Sequence, residues 1–274
     1  MANEGSREMI IIWDFDQTII TDDCDHWVVL DTNLTKLFHR IRDTLSWHQI
    51  IVRSLFSLHS IVSALSVSLL TVFIDRMMDE LHAQGKTIND FVDRLNKFTI
   101  DPQMISAIRS AHELGYLLRC EMKVLSDGNH FFIETILKNN GVFECFSGII
   151  SNPTVVDEEG RLRILPYKGK NRFPHRCMLC SPNLCKGTVI DEIRHSDKKK
   201  RGIIYIGDGR DDLCPTLKLT EQDYVMPKEK KSLHHMLTLA KVPIKPKIRA
   251  WKDGEQLENN LIRLLSPQPE VLES

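Results

Sequence analysis

An α/β fold, a doubly wound parallel sheet with a small helical second domain, is predicted for these 274 residues by three observations. Short apolar runs alternate with helical patterns, which is how a parallel sheet covered on both faces is encoded. The runs end in carboxylates or in a polar tip, and ligands in such folds sit at the C-terminal ends of the strands. Residues 31–99 are mostly helical in pattern and interrupt the alternation. The expected architecture is Rossmann-like.

Taken in order, Met9–Trp13 is an apolar run that stops abruptly in Asp14-Phe15-Asp16 and reads as a buried strand with carboxylates at its end. Within 31–99, Met77, Met78, Leu81, Phe91, Leu95 and Phe98 fall at helical apolar positions. Asp101-Pro102 opens a helix through Leu114, with Gly115 as its expected stop. Residues 117–125 form a second strand, interrupted by charges, with Ser126-Asp127-Gly128 as its polar tip. Residues 131–139 are helical and closed by Asn140-Gly141. A third strand is expected at 146–150 and a fourth at 202–206, the last ending in Gly207-Asp208-Gly209.

One segment breaks the pattern. Residues 50–74 are apolar and serine-rich, with Arg53 their only formal charge. At roughly 1.5 Å per helical residue the stretch is long enough to span a bilayer. Arg53 and the serines weaken that reading. The alternatives are a helix pair buried in the second domain or covered by a partner, and an anomalous insertion.

Composition narrows the function. Lys plus Arg is 36 against 37 Asp plus Glu, a formal charge of −1, so no global cationic field exists to hold a nucleic acid or an anionic membrane. The run Lys198-Lys199-Lys200-Arg201 reads as a solvated loop rather than a nucleic-acid contact. Seven cysteines and an N-terminus without an apolar signal core point to reduced thiols in a cytosol-like, cytoplasmic setting.

Asp14-Phe15-Asp16-Gln17-Thr18 places two carboxylates on alternate positions of a strand end, and Gly207-Asp208-Gly209-Arg210-Asp211-Asp212 offers more at another. Each alone could be an acidic turn. Several carboxylates converging without cations repel, so together they predict a bound divalent ion. Oxygen-only ligands favour Mg²⁺ bridging to a substrate phosphate.

With Ser126 at a third strand end and Lys186 upstream of the fourth, these motifs resemble, in content and order, those of the haloacid dehalogenase-like phosphatase superfamily. The likeness is strongest to its phosphoethanolamine/phosphocholine phosphatase branch with its plant relatives, among them inorganic pyrophosphatases and thiamine phosphate phosphatase-like proteins. SDGNHFFIE, SNPTVVDEEGRL, CSPNLCKG and IGDGRDDLCP carry it. The resemblance implies a phosphohydrolase with Asp14 as nucleophile and Asp16 as general acid/base, passing through an aspartyl-phosphate. Ser126 and Lys186 would hold the phosphoryl oxygens. Asp14, the Asp16 carbonyl and Asp208 would bind Mg²⁺, with Asp212 as a further ligand, directly or through water, and Asp211 its competitor. Asp25 and Asp127 match positions that face a cationic head group in the phosphocholine branch, though Asp25 could instead cap a helix.

The domains implied are a catalytic core at 1–30 and 100–274 and a helical cap at 31–99. An atypical apolar insertion lies at about 48–73, where the plant relatives run almost directly into the helix of Asp75-Arg76-Met77-Met78. Such an insertion is also what an unremoved non-coding stretch would produce. The expected substrate is a small phosphorylated molecule, pyrophosphate or thiamine monophosphate first. Phosphocholine, phosphoethanolamine and pyridoxal phosphate are alternatives, as is a phosphate-binding protein whose catalysis the insertion has impaired. The strand before Ser126, at 118–124, is longer and more charged than the family's usual one, and a register error there would displace Ser126 and Asp127. Finally, His175, Cys177, Cys180 and Cys185 offer four soft ligands in a short loop, a candidate Zn²⁺ site beside Lys186.

Overall fold

The computed structural model describes residues 8–29, 69–167, 175, 177, 179–180, 183–239 and 243–266. Its main sheet comprises β1 (Met9–Trp13), β2 (Glu121–Asn129), β3 (Gly148–Asn152), β6 (Gly202–Gly207), β7 (Tyr224–Pro227) and β8 (Lys247–Ile248); β4 (Thr154–Val156) and β5 (Leu162–Ile164) form a separate antiparallel pair. The strand order is β3-β2-β1-β6-β7-β8, every pair parallel. Order reverses at β1, so β1, β2 and β6 meet where such sheets place their ligands.

Continuous apolar strands arise because both faces are covered. Ile11 and Trp13 join one apolar cluster and Ile10 and Ile12 the other, the period-2 alternation of a strand. The first cluster is completed by α4 (Pro102–Leu118), α5 (His130–Asn139) and α9 (Gly254–Leu265), the second by α6 (Lys186–Ser196) and α8 (Ser232–Thr238). Each fully buried Ile or Trp of β1 contributes about 1.5–3 kcal/mol, so the strand that leads into Asp14 is firmly anchored in the sheet.

Three details differ from the sequence reading. Gly115 does not stop its helix: α4 continues to Leu118, and Arg119 takes the left-handed turn at φ 55°. Gly115 instead lies against Cys120, where an added Cβ would sit 3.3 Å from the Cys120 Cβ. The charged strand therefore starts later, at Glu121, and its charges are paired, Lys123 with Glu121 and Glu121 with Arg201. Its register against β1, with Trp13 opposite Val124, leaves Ser126 just past the end of β1, where the site requires it. The β4–β5 pair, β7 and β8 were not foreseen.

Of the helical 31–99 region, α2 (Leu69–Ala83) and α3 (Ile88–Leu95) are described. The Asp75 carboxylate grips β5 by accepting from the Arg163 guanidinium and from the Ile164 amide, the latter at 2.9 Å. Helix α1 (Cys24–Val29) is tied to α3 by Arg94 Nε donating to the Trp27 carbonyl at 2.7 Å, and to the chain just beyond α3 by an edge-to-face Trp27–Phe98 contact. Among the described residues no helix is long and apolar enough to cross a membrane. Most of the 50–74 segment lies outside them. Its final residues form the start of α2, where Phe73 and Ile74 are buried in the first cluster.

Candidate active site

Asp14 follows the last residue of β1, and its amide still donates to the Ile206 carbonyl of β6 at 2.9 Å. The side chain is buried, and both oxygens are held: Lys186 Nζ donates to Oδ1 at 2.6 Å and the Thr18 hydroxyl to Oδ2 at 3.0 Å. Thr18 also reaches Asp208 Oδ1 at 3.4 Å, so one hydroxyl links the ends of β1 and β6. The chain turns sharply after Asp16, with Gln17 at φ 60°. Two lysines brace this left-handed residue, Lys228 donating to its carbonyl at 2.8 Å and Lys231 to its side-chain oxygen at 2.9 Å. A non-glycine residue held in that region marks a turn the surroundings impose.

Lys186 opens α6 with its ammonium buried, 2.5 Å from Asp211, 2.6 Å from Asp14 and 2.8 Å from Asp212. Burial opposes its charge, but the Asp14, Asp211 and Asp212 carboxylates outweigh that and hold its pKa well above the ordinary lysine value. Asp212 is fully engaged. Its Oδ1 accepts from Lys186 and from the Tyr205 hydroxyl (2.5 Å), and its Oδ2 from the amides of Asp208 (3.0 Å) and Gly209 (2.8 Å). The sequence reading makes Asp212 a metal ligand, directly or through water; in this geometry the same carboxylate also shapes the 207–212 loop and aims Lys186.

Asp16 Oδ1 accepts from the Cys24 amide at 2.8 Å. Burial, then the Asp23 and Asp25 charges, push its pKa well above the carboxylate range, so it holds a proton to higher pH than a free aspartate. Ser126 lies in β2 and caps no helix; Asn129 caps α5 instead. A Cβ added at Gly128 would come 3.3 Å from both Asp16 Oδ2 and Ser126 Oγ, so both groups border the space that this glycine leaves open. Asp23, not Asp25, supplies the α1 cap, through a 2.9 Å bond from the His26 amide. Asp25 is left to accept from Asn129 at 2.8 Å, its pKa raised by burial to about 8. Asp127 is raised to about 6, again mainly by burial.

Asp14, Asp208 and Asp212 bring carboxylate oxygens within 4.8 Å of one another. Burial, followed by the neighbouring carboxylates, raises Asp14, while Asp208 is raised to about 6 by burial and then Asp212. Oxygen donors that resist ionising for want of positive charge fit a hard divalent cation such as Mg²⁺. A stability test follows. A carboxylate raised in the fold binds its proton more tightly there than in the unfolded chain, so stability is kept below about pH 4 and lost as pH rises through the folded values. Asp208 and Asp127 set that window at 3.8 to about 6, and Asp25 extends it to about 8. The metal-free protein will therefore melt at lower temperature at pH 8 than at pH 5. Added Mg²⁺ will raise Tm more at pH 8; a Tm independent of both would refute the strained acidic site.

The predicted soft site is revised. His175 is not part of the cluster: its Nδ1 accepts from the Cys177 amide at 3.2 Å. Cys214, two residues after Asp212, takes its place beside Cys177, Cys180 and Cys185. Sequence proximity favoured His175; Cys214 arrives through the packing of α7 (Leu213–Thr216) on α6. Thr18, Tyr205, Lys228 and Lys231 were also missed as site residues. Only Thr18, inside the first motif, had a local signal.

The family described as "Putative Phosphatase" matches residues 9–68 and 60–265, two pieces that overlap inside the apolar segment. A thiamine phosphate phosphatase-like protein of Arabidopsis thaliana is 40% identical over 94% of this chain and 96% of its own. Inorganic pyrophosphatase 1 of the same plant is 41% identical over 91% of this chain and 77% of its own. Pyridoxal phosphate phosphatase PHOSPHO2 of Mus musculus is 28% identical over 93% and 97%. The chain belongs to the Putative Phosphatase family and is a phosphohydrolase of the haloacid dehalogenase type.

Proposed function

We propose that this family member hydrolyses small phosphorylated metabolites through Asp14, with pyrophosphate the first candidate and thiamine monophosphate the second. The observation that carries the reading is the clamp on Asp14, a buried carboxylate at the end of the central strand with Lys186 on one oxygen and Thr18 on the other. Phosphoryl transfer asks mainly for positioning and charge, and this clamp supplies both.

In the first step an Asp14 oxygen bonds to phosphorus while the bond to the departing oxygen breaks. Asp16, kept protonated by its burial, gives its proton to that oxygen. In the second, water bonds to phosphorus, Asp16 takes its proton back, and the bond to Asp14 breaks, releasing phosphate. Lys186 and Ser126 hold the phosphoryl oxygens, while Asp212 keeps Lys186 in place. Mg²⁺, held by Asp14, the Asp16 carbonyl and Asp208, would supply the charge that offsets repulsion between two anions and polarises the phosphoryl group. Helices α2 and α3 would belong to a cap that excludes water. A reducing, cytoplasm-like compartment suits the free state of all seven cysteines.

Charge around the pocket orders the substrates. Asp25, raised to about 8, is mostly uncharged at neutral pH and attracts a cationic ring weakly. Lys231, 3.9 Å from Asp208, and Lys228 beside it put positive charge at the rim, which favours a second phosphate. The relatives' names supply both candidates.

Phosphate release should be measured on pyrophosphate, thiamine monophosphate, phosphocholine, phosphoethanolamine and pyridoxal phosphate, with Mg²⁺ and with EDTA. Turnover that EDTA abolishes, fastest on pyrophosphate, is expected. Lys231→Ala should raise KM for pyrophosphate about tenfold while changing thiamine monophosphate little; equal effects would reject the rim charge as the selector. Tight vanadate binding without turnover on any substrate would favour a catalytically impaired phosphate-binding protein. Deleting 48–68, which spares α2, would then show whether the insertion is responsible.

A further inference from the structure

We propose that the thiolates of Cys177, Cys180, Cys185 and Cys214 bind one Zn²⁺ as a closed structural site that pins Lys186 to the loop carrying Asp211 and Asp212. The four sulfurs all lie within 4.8 Å of one another, with Cys177 to Cys214 at 3.4 Å and Cys185 to Cys214 at 3.8 Å. Zn–S bonds of about 2.3 Å in a tetrahedron put sulfurs about 3.8 Å apart, so the thiols already stand near the spacing of the bound ion. A disulfide would need one pair drawn together; four sulfurs converging on one point are what a metal needs. An all-sulfur tetrahedral set selects zinc over magnesium or calcium, and four protein ligands leave no open position for chemistry.

The surroundings are built for this convergence. Cys185 caps the start of α6, where the Thr188 amide donates to its sulfur at 3.4 Å and the helix N-terminus favours the thiolate. Gly187 is the second requirement. A Cβ there would fall 2.5 Å from Cys214 Sγ and 3.2 Å from the Cys214 carbonyl, so only glycine lets Cys214 close the set. The ligands come from three places in the chain: the 177–180 loop, the residue before Lys186, and the second residue after Asp212. Zinc at this point fixes the separation of the phosphate-binding lysine from the acids that aim it. The site shares no ligand with the Mg²⁺ position, so the inference stands apart from the phosphohydrolase reading.

The test uses the full chain, purified under reduction without chelator. Elemental analysis should find about one zinc per chain, retained against excess Mg²⁺ and in Asp208→Asn. Replacing zinc by cobalt should give thiolate-to-metal charge transfer and the intense visible bands of a tetrahedral four-sulfur set, a reading of the ligands that needs no substitution. Cys214→Ser and Gly187→Ala should lower metal affinity at least tenfold, whereas His175→Ala should leave it unchanged. A folded wild-type chain that takes up neither zinc nor cobalt would overturn the proposal. So would iron in the site, a cobalt spectrum showing a nitrogen ligand, or loss of the metal in His175→Ala.

Discussion

Asp14→Asn will reduce phosphate release by at least about 10⁴-fold on every substrate while leaving the fold intact. The size of the loss follows from the role: an amide oxygen neither attacks phosphorus at a useful rate nor leaves as a carboxylate. The fold survives because the hydrogen bonds can be remade. The introduced amide can turn its oxygen to Lys186, and the Thr18 hydroxyl, which now donates to Oδ2, can rotate to accept from the new NH₂. Circular dichroism and Tm check the fold, and the substrate panel checks the rate. Chemistry at this position has its own signature, since an acyl phosphate formed on Asp14 is cleaved by hydroxylamine to a hydroxamate. Wild-type protein turning over substrate should acquire that mark at residue 14. Residual activity within tenfold of wild type, or a hydroxamate elsewhere, would remove Asp14 as nucleophile.

Much of this site is legible in the amino-acid sequence because its parts are local. A strand buried on both faces must be apolar throughout, so Asp14 and Asp208 are conspicuous where Met9–Trp13 and Gly202–Gly207 end. Ser126 and Lys186 follow from the order of the motifs. What escapes depends on distance along the chain. Cys214 lies 29 residues from Cys185 and joins it only because Gly187 lets two short helices touch. Lys231 reaches Gln17 across 214 positions, and no pattern around either residue announces the contact. Asp23 and Asp25 stand two residues apart at the start of one short helix, so pattern alone leaves open which of them caps it. The His26 amide decides, by donating to Asp23.

Asp212 has a role in the fold that motif membership alone does not reveal. It occupies a position that the resemblance gives to the metal, and its oxygens also accept from Lys186, Tyr205 and two backbone amides. A fully buried carboxylate with four donors is a fixed post against which the lysine is set. Burial pushes the Tyr205 hydroxyl well above its ordinary pKa, so it stays a donor to Asp212 throughout the working range. The negative charge at 212 thus serves the positive charge at 186, which in turn serves Asp14.

Lys186→Met tests that chain of dependence and should have two large effects. Methionine fills similar volume but leaves Asp14 and Asp212, both buried, and the half-exposed Asp211 without their shared cation. Stranding buried carboxylates in this way destabilises by about 3–5 kcal/mol, which for a chain of this size lowers Tm by on the order of 10 °C. The loss should be greatest at pH 8 in EDTA and shrink at pH 5, where the carboxylates take up protons. Turnover should fall about 10³-fold, because the phosphoryl oxygens lose a charge placed for them. Mg²⁺ should stabilise this variant more than it stabilises wild type, since the acidic cluster has lost its competing cation. A substitution that merely loosened the fold would weaken Mg²⁺ binding along with everything else. Thermal melts with and without Mg²⁺ at the two pH values separate these cases. A smaller Mg²⁺ response in Lys186→Met would mean that the lysine holds the metal site together rather than balancing its charge.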